Sequence, residues 1–222
     1  MGRRITRKQL KQDEFISTAD TVVSWVVDNW RPIAFGLAAF CAVIMLWWVG
    51  SRWTSSRAES ASYLLHQAAP ALDEALAGGD VTAAEEKLGE VIDRYGRTEQ
   101  ADIARIYLAR LALVRDDRDR ARSLLQEVSE RRGSDAIGSV ATLDLVQLAI
   151  STGQGAEVAP RLEAVVAGED PSLPRDVALW ELAQLYASDD ADRARGYLQR
   201  IVDEFPESPY RARASQRLSE LG

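Results

Sequence analysis

The hydrophobic positions of the chain follow two different patterns. Between Arg31 and Arg52 no charged residue occurs, and residues 32–50 are almost all apolar or aromatic. Beyond residue 52, apolar residues recur every three or four positions among charged ones, which is the spacing of one face of an α-helix. The chain is therefore predicted to be all-α, with a single apolar helix near its start and a series of amphipathic helices after it.

The apolar segment has the length of a membrane span. Its nineteen residues, 32–50, would rise about 28 Å as a helix, close to the ~30 Å hydrocarbon core of a bilayer. Trp30 precedes it, and Trp47, Trp48 and Trp53 lie at its other end, where aromatic rings settle at the headgroup level. A cleaved signal peptide is disfavoured, because no small-x-small site follows the apolar run. We expect one transmembrane helix over residues 32–50.

Basic residues near the span predict its orientation. On the trailing side the next twenty residues hold only Arg52 and Arg57. The leading side holds six basic residues: Arg3, Arg4, Arg7, Lys8, Lys11 and Arg31. Because positive charge stays on the cytoplasmic side, we expect residues 1–31 in the cytoplasm and residues 51–222 in the periplasm of a bacterium, with the span in the inner membrane.

The tail before the span carries an apolar stripe of its own. Its members are spaced as on one side of a helix: Phe15, Ala19, Val22, Val23, Val26 and Trp30. Residues 1–31 are thus predicted to be a basic tail with an amphipathic helix. This helix either lies on the inner leaflet, extends the membrane helix or packs on a partner.

A repeat of 36–37 residues organises the remainder of the chain, residues 51–222. Three apolar columns keep this spacing across four units: Ala84, Ala121, Val158 and Ala194; then Leu88, Leu125, Leu162 and Leu198; then Val91, Val128, Val165 and Ile201. Upstream, two leucine columns repeat at 37: Leu108, Leu145 and Leu182; and Leu111, Leu148 and Leu185. Each unit is predicted to contain a first helix (helix A), a polar turn and a second helix (helix B), giving about four helix pairs.

These units resemble tetratricopeptide repeats (TPRs). A Gly or Asp stands at the A–B turn, a small residue follows five positions later, and large apolar residues come four and seven positions after that; Pro206 lies twelve after Ala194. The period exceeds the typical 34, and the usual Trp, Gly and Tyr positions of helix A are poorly kept. The resemblance implies an α-solenoid that binds other proteins.

The whole layout also resembles one particular envelope family. Residues 205–222 are similar to repeats of bacterial envelope proteins with the pattern F/YPxSxYxxxA. A basic tail, one span and a short periplasmic repeat domain resemble the ancillary subunit of the bacterial Sec translocon, whose repeat domain is shared with cell-division coordinator proteins. The resemblance implies the translocon, periplasmic chaperones or secretory clients as partners. A transmembrane signalling regulator and a scaffold for envelope assembly or division are the alternatives.

The composition disfavours catalysis, metal binding and nucleic-acid binding. One Cys and one His cannot build a zinc cluster or an iron–sulfur site, and His66 has no Ser/Asp arrangement beside it. Net charge is −7 overall and −10 beyond residue 52, whereas phosphate binding needs a basic face. The pairs Asp116-Asp117 and Asp189-Asp190 fall at A–B turns, where Asp caps the next helix. We expect neither an enzyme nor a cofactor.

Helix A supplies the concave face in TPR arrays, so the resemblance also implies binding residues. They are counted eight, eleven and fifteen positions before the small helix-B residue: Leu113, Arg110 and Ile106; Ile150, Gln147 and Leu143; Tyr186, Ala183 and Leu179. Six of the nine are large and apolar, which favours a groove for an apolar or amphipathic segment. Alternatively these residues belong to the core or are covered by a C-terminal helix over 209–221.

Overall fold

The computed structural model describes residues 30–220, and this part of the chain is helical without any β-strand. Its helices are α1 (Trp30–Leu76), α2 (Thr82–Tyr95), α3 (Glu99–Val114), α4 (Arg118–Arg132), α5 (Ala136–Ser151), α6 (Gly155–Ala167), α7 (Arg175–Tyr186), α8 (Ala191–Glu204) and α9 (Arg211–Glu220). The predicted all-α class is confirmed. The predicted amphipathic helix of the tail lies outside the described residues.

The chain divides into two compact units, and the boundary between Ser56 and Arg57 falls within α1. In the N-terminal compact unit, the segment Trp30–Trp48 is long and apolar enough to cross a membrane, and none of it is buried. The guanidinium carbon of Arg31 lies 5.9 Å from the centre of the Trp30 ring, and that of Arg52 lies 5.5 Å from the Trp48 ring. Within the described residues this is the one candidate membrane span.

The C-terminal compact unit is a row of helix pairs, and each pair is one repeat unit. Unit 1 consists of the end of α1 with α2, unit 2 of α3 with α4, unit 3 of α5 with α6, and unit 4 of α7 with α8. From α2 onwards each helix contacts the next one, α3 also contacts α5, and α5 contacts α7. Contacts that are confined to adjacent helix pairs are typical of a solenoid. The four predicted helix pairs are confirmed, and α9 packs on α8 after the last of them.

The repeat columns form the core. Ala84, Ala121 and Ala194 are buried on helix B, where a small side chain lets helix A approach closely, and Val158 is half-buried at the equivalent position. The leucine column and the Val/Ile column are buried in all four units. Each of the four core clusters also includes residues of the following helix. Because one pair cannot bury its apolar face alone, the next helix along the chain completes each core.

Aspartates cap helix B at the A–B turns of units 2 and 4, as predicted. The Asp117 carboxylate accepts a hydrogen bond from the backbone N–H of Arg120 at 3.1 Å, and Asp190 accepts one from Arg193 at 3.0 Å. These bonds satisfy N–H groups that the first turn of a helix leaves without partners. Asp116 has a φ of 60°, the left-handed conformation in which Asp is among the better tolerated residues.

A buried ion network joins the two helices of unit 2. Asp102, only 1% exposed at the start of α3, is 3.1 Å from Arg105, 2.9 Å from Arg131 and 2.8 Å from Arg132. Arg131 also donates to the carbonyl oxygen of Gly96 at 3.0 Å. The two arginines end α4, so the network fixes the end of helix B against the start of helix A.

Candidate protein-binding face on the helix A row

An open cavity lies between the helices A of units 2 and 3. Its volume is about 490 Å³. It is lined by Arg110, Leu113, Asp116, Arg118, Asp144, Gln147, Leu148 and Ser151. Three of the nine residues predicted for the binding face, namely Arg110, Leu113 and Gln147, are thus brought together. We refer to the exposed sides of the end of α1, α3, α5 and α7 as the helix A row.

The charges around this cavity are paired. Arg110 lies 3.1 Å from Asp144 across the two helices, and Arg118 lies 2.9 Å from Asp116 beside the A–B turn. Leu113, which is 37% exposed, contributes an apolar patch between them. The walls therefore offer hydrogen-bonding groups and apolar surface together, which suits a peptide segment better than a small charged ligand.

The same polar contact occurs twice along the row. Arg110 of α3 donates to Asp144 of α5, and Gln147 of α5 donates through Nε2 to Glu181 Oε1 of α7 at 3.2 Å. Gln147 lies 37 residues after Arg110, and Glu181 lies 37 residues after Asp144. The two contacts are therefore equivalent in the repeat, with an ion pair in one and an amide–carboxyl pair in the next.

Glu181 differs from Asp144 in its surroundings. The residue is 5% exposed, and burial raises the pKa of its carboxyl group, with the hydrogen bond from Gln147 opposing that effect. Desolvation penalises the charged form, and a neutral amide offsets this less than a guanidinium would. Glu181 is thus a buried carboxyl group beneath the helix A row, and burial favours its protonated form.

The remaining predicted residues of units 2 and 3 lie deeper. Ile106 is 5% exposed and belongs to the core cluster between α3, α4 and α5. Leu143 and Ile150 are half-buried and pack against the core cluster of unit 3. The structure therefore places Ile106 in the core, and Leu143 and Ile150 at the edge between core and surface.

In unit 4 two of the predicted residues face inward. Leu179 and Ala183 belong to the core cluster shared by α7, α8 and α9. Tyr186 is half-buried; its ring stacks on Tyr197 with centroids 6.1 Å apart, and the Arg193 guanidinium carbon lies 4.0 Å from its centre. All three are therefore engaged within unit 4 itself.

The residues that continue the row in unit 4 lie one position further along. Trp180, Gln184 and Ala187 follow Leu143, Gln147 and Ile150 by 37 residues, and all three line a second cavity of about 240 Å³. Counting back from Ala194 misses them, because the last helix-B interval is 36 instead of 37. A shift of one residue turns a helical position by about 100°, from surface to core. The helix-A leucines, which keep the interval of 37, would have located them.

The second cavity is closed on one side by α9. Arg217 and Glu220 of α9 face Ala194 and Leu198 of α8 and the three row residues of α7, together with Ala183. The segment before α9 is held in place by Ser208, whose hydroxyl donates to Asp176 at 2.7 Å. The C-terminal helix therefore forms a wall at the end of the row.

Residues 30–220 contain no group of three or more His, Cys, Asp or Glu side chains arranged to hold a metal ion. His66, the single histidine, is exposed on α1.

The stacked helix pairs and the open helix A row define a helical-repeat protein. Residues 24–169 match the model of the tetratricopeptide repeat-like domain, which covers more than half of the chain, and residues 177–208 match the model of the tetratricopeptide repeat. The chain belongs to the tetratricopeptide repeat-like domain family. Domains with such repeats mediate protein–protein interactions and are typically non-catalytic. No match was found among curated proteins or among solved structures.

Proposed function

We propose that this protein is a membrane-anchored scaffold whose helix A row docks protein segments in the bacterial periplasm. The observation that carries the proposal is the 490 Å³ cavity between α3 and α5, which combines paired polar groups with exposed Leu113 on the binding side of a TPR solenoid. A docked segment would place apolar side chains against this leucine and bond to the polar pairs.

The anchor is the apolar part of α1. Trp30–Trp48 has the length of a span, and aromatic and basic residues bracket it. The excess of basic residues before it supports a cytoplasmic N-terminus and a periplasmic repeat domain. This arrangement would keep the helix A row tethered to the inner membrane, where exported chains emerge.

The partners we propose are the Sec translocon, periplasmic chaperones and secretory clients. Support comes from the layout of a basic tail, one span and a short repeat domain, and from the segment 205–222 that resembles envelope repeats. In this segment the Ser208 hydroxyl donates to Asp176 and the Tyr210 ring stacks on Trp180, so the turn before α9 is held against α7.

Site-specific photocrosslinking in living cells would test the proposal. A benzoyl-phenylalanine at Leu113 should crosslink to translocon or chaperone subunits, whereas the same group at Ser123, exposed on helix B of the same unit, should not. Equal crosslinking from both positions, or capture of cytoplasmic proteins only, would contradict it. Protease added to spheroplasts should remove the chain beyond about residue 55; protection of that part would reverse the proposed orientation.

A further inference from the structure

Asp144 and Glu181 occupy equivalent positions in successive units, but only one of them has a cation beside it. Arg110 pairs with Asp144 at 3.1 Å, whereas the residue equivalent to Arg110 in the next unit is Gln147. Within residues 30–220, no Lys or Arg forms an ion pair with Glu181. The exchange of Arg for Gln leaves the buried carboxyl group of Glu181 without a positive partner.

Glu181 is positioned where a docked segment can reach its surroundings. Its hydrogen-bond donor, Gln147, is exposed and lines the first cavity. Its neighbour in the chain, Trp180, lines the second cavity. A segment that runs along the helix A row from one cavity to the other therefore passes Gln147 and Trp180, which are the hydrogen-bond donor and a chain neighbour of Glu181.

We propose that the helix A row selects protein segments carrying a Lys or Arg side chain, which displaces the Gln147 amide from Glu181 and pairs with this carboxyl group as Arg110 pairs with Asp144 in the preceding unit. This inference rests on the proposed docking role of the row and specifies its ligand. The incoming cation restores the ion pair that the repeat has lost, and apolar neighbours of that residue contact Leu113 on one side and Trp180 on the other.

The electrostatics of the site agree with this assignment. Burying a carboxylate without a cation is unfavourable, and a charge-assisted hydrogen bond from Lys or Arg relieves that penalty. Burial raises the pKa of Glu181 in the free protein, and a bound cation favours its charged form again. An excess of ten negative charges beyond residue 52 also attracts basic segments.

Peptide selection on the full-length protein in lipid nanodiscs tests the inference. Short random peptides displayed on phage are selected on three proteins: the natural chain, Glu181→Gln and Gln147→Arg. The first variant removes the charge, and the second supplies the internal cation that unit 2 has in Arg110. Thermal melting checks that both variants are folded. Peptides selected on the natural chain should be enriched in Lys or Arg at one position, and both variants should lose this enrichment.

Matched synthetic peptides give the size of the effect. A selected peptide with Lys should bind about tenfold tighter than the same peptide with norleucine at that position, and the ratio should fall to about one on either variant. Selection without basic enrichment, or equal enrichment on all three proteins, overturns the inference. In that case the crosslinks from Leu113 would still stand, whereas loss of those crosslinks would overturn the docking role itself.

Discussion

The carboxylate of Asp102 lies 2.8 Å from the guanidinium of Arg132, although the two residues are 30 positions apart and lie on different helices. Arg105 and Arg131 surround the same carboxylate at 3.1 and 2.9 Å. Several donors around one buried carboxylate compensate for its removal from water. The end of α4 is therefore held to the start of α3 by charge as well as by apolar packing.

Removal of this carboxylate should destabilise the domain strongly. Asp102→Ala removes the buried carboxylate that Arg105, Arg131 and Arg132 share, and because Arg105 is itself buried, this loss should cost about 3–5 kcal/mol. Asp144→Ala is the matched control, since its ion pair with Arg110 is partly exposed and should be worth about 1 kcal/mol or less. Urea unfolding followed by circular dichroism measures both. If the free energy of unfolding fell by a similar amount in the two variants, burial of Asp102 would not be the reason for its larger predicted effect.

The repeat register predicts that Ala121 is more sensitive than the cap beside it. Ala121→Glu forces a charge and extra volume into the contact between α3 and α4, where this residue is fully buried, and should cost roughly 2–4 kcal/mol. Asp117→Ala removes one capping bond and should cost about 1 kcal/mol. Thermal melts that rank the two variants in the opposite order would contradict the register.

Ile106 and Leu113 belong to the same predicted set but should respond differently to a charge. Ile106→Asp places a carboxylate in the core and should destabilise by roughly 3–5 kcal/mol. Leu113→Asp changes an exposed position and should cost less than about 1 kcal/mol while it weakens partner capture. Melting and pull-down of the same preparations separate the two effects. Unfolding of Leu113→Asp would place this residue in the core.

Glu181 should make stability depend on pH. Its folded-state pKa lies above the usual value of 4.5. Between the pKa of the unfolded state and that of the folded state, the folded protein binds more protons, so the free energy of unfolding falls as pH rises through this range. Glu181→Gln should therefore be more stable than the natural protein at about pH 7 and equal to it below about pH 4.

Urea unfolding at the two pH values measures this difference. Glu207→Gln, a change at an exposed position after α8, is the control and should alter stability at neither pH. A stabilisation by Glu181→Gln that is equally large at both pH values would show that packing, and not charge, is responsible.

The core could be predicted from the sequence because it repeats. Small residues such as Ala84, and the Leu and Val columns behind them, recur every 36–37 residues, and nearly all of them are buried in the structure. The exposed residues of helix A in unit 4 could not be located by counting back from helix B, because the interval from Val158 to Ala194 is 36 residues instead of 37. The leucines of helix A keep the interval of 37, and counting from them would have placed Trp180 at the position of Leu143.

The polar contacts between helices could not be predicted from the sequence without knowing how the helices pack. Asp102 meets arginines about 30 residues away, and nothing in the local pattern around it indicates a buried carboxylate. The contact between Gln147 and Glu181 spans 34 residues, so it does not follow the repeat interval from which the units were recognised. It becomes visible only when α5 and α7 are placed side by side.

Each core cluster includes residues of the following helix, and this affects the order in which the units fold during synthesis. Unit 1 cannot complete its core until α3 has emerged, and unit 4 waits for Ala214 of α9, which is fully buried in its cluster. During synthesis from the N-terminus, the most recently completed helix pair therefore exposes an apolar face until the following helix emerges. This exposed face shifts from one unit to the next as synthesis proceeds. The short helix α9 ends that progression, because its outer side is polar and demands no further neighbour.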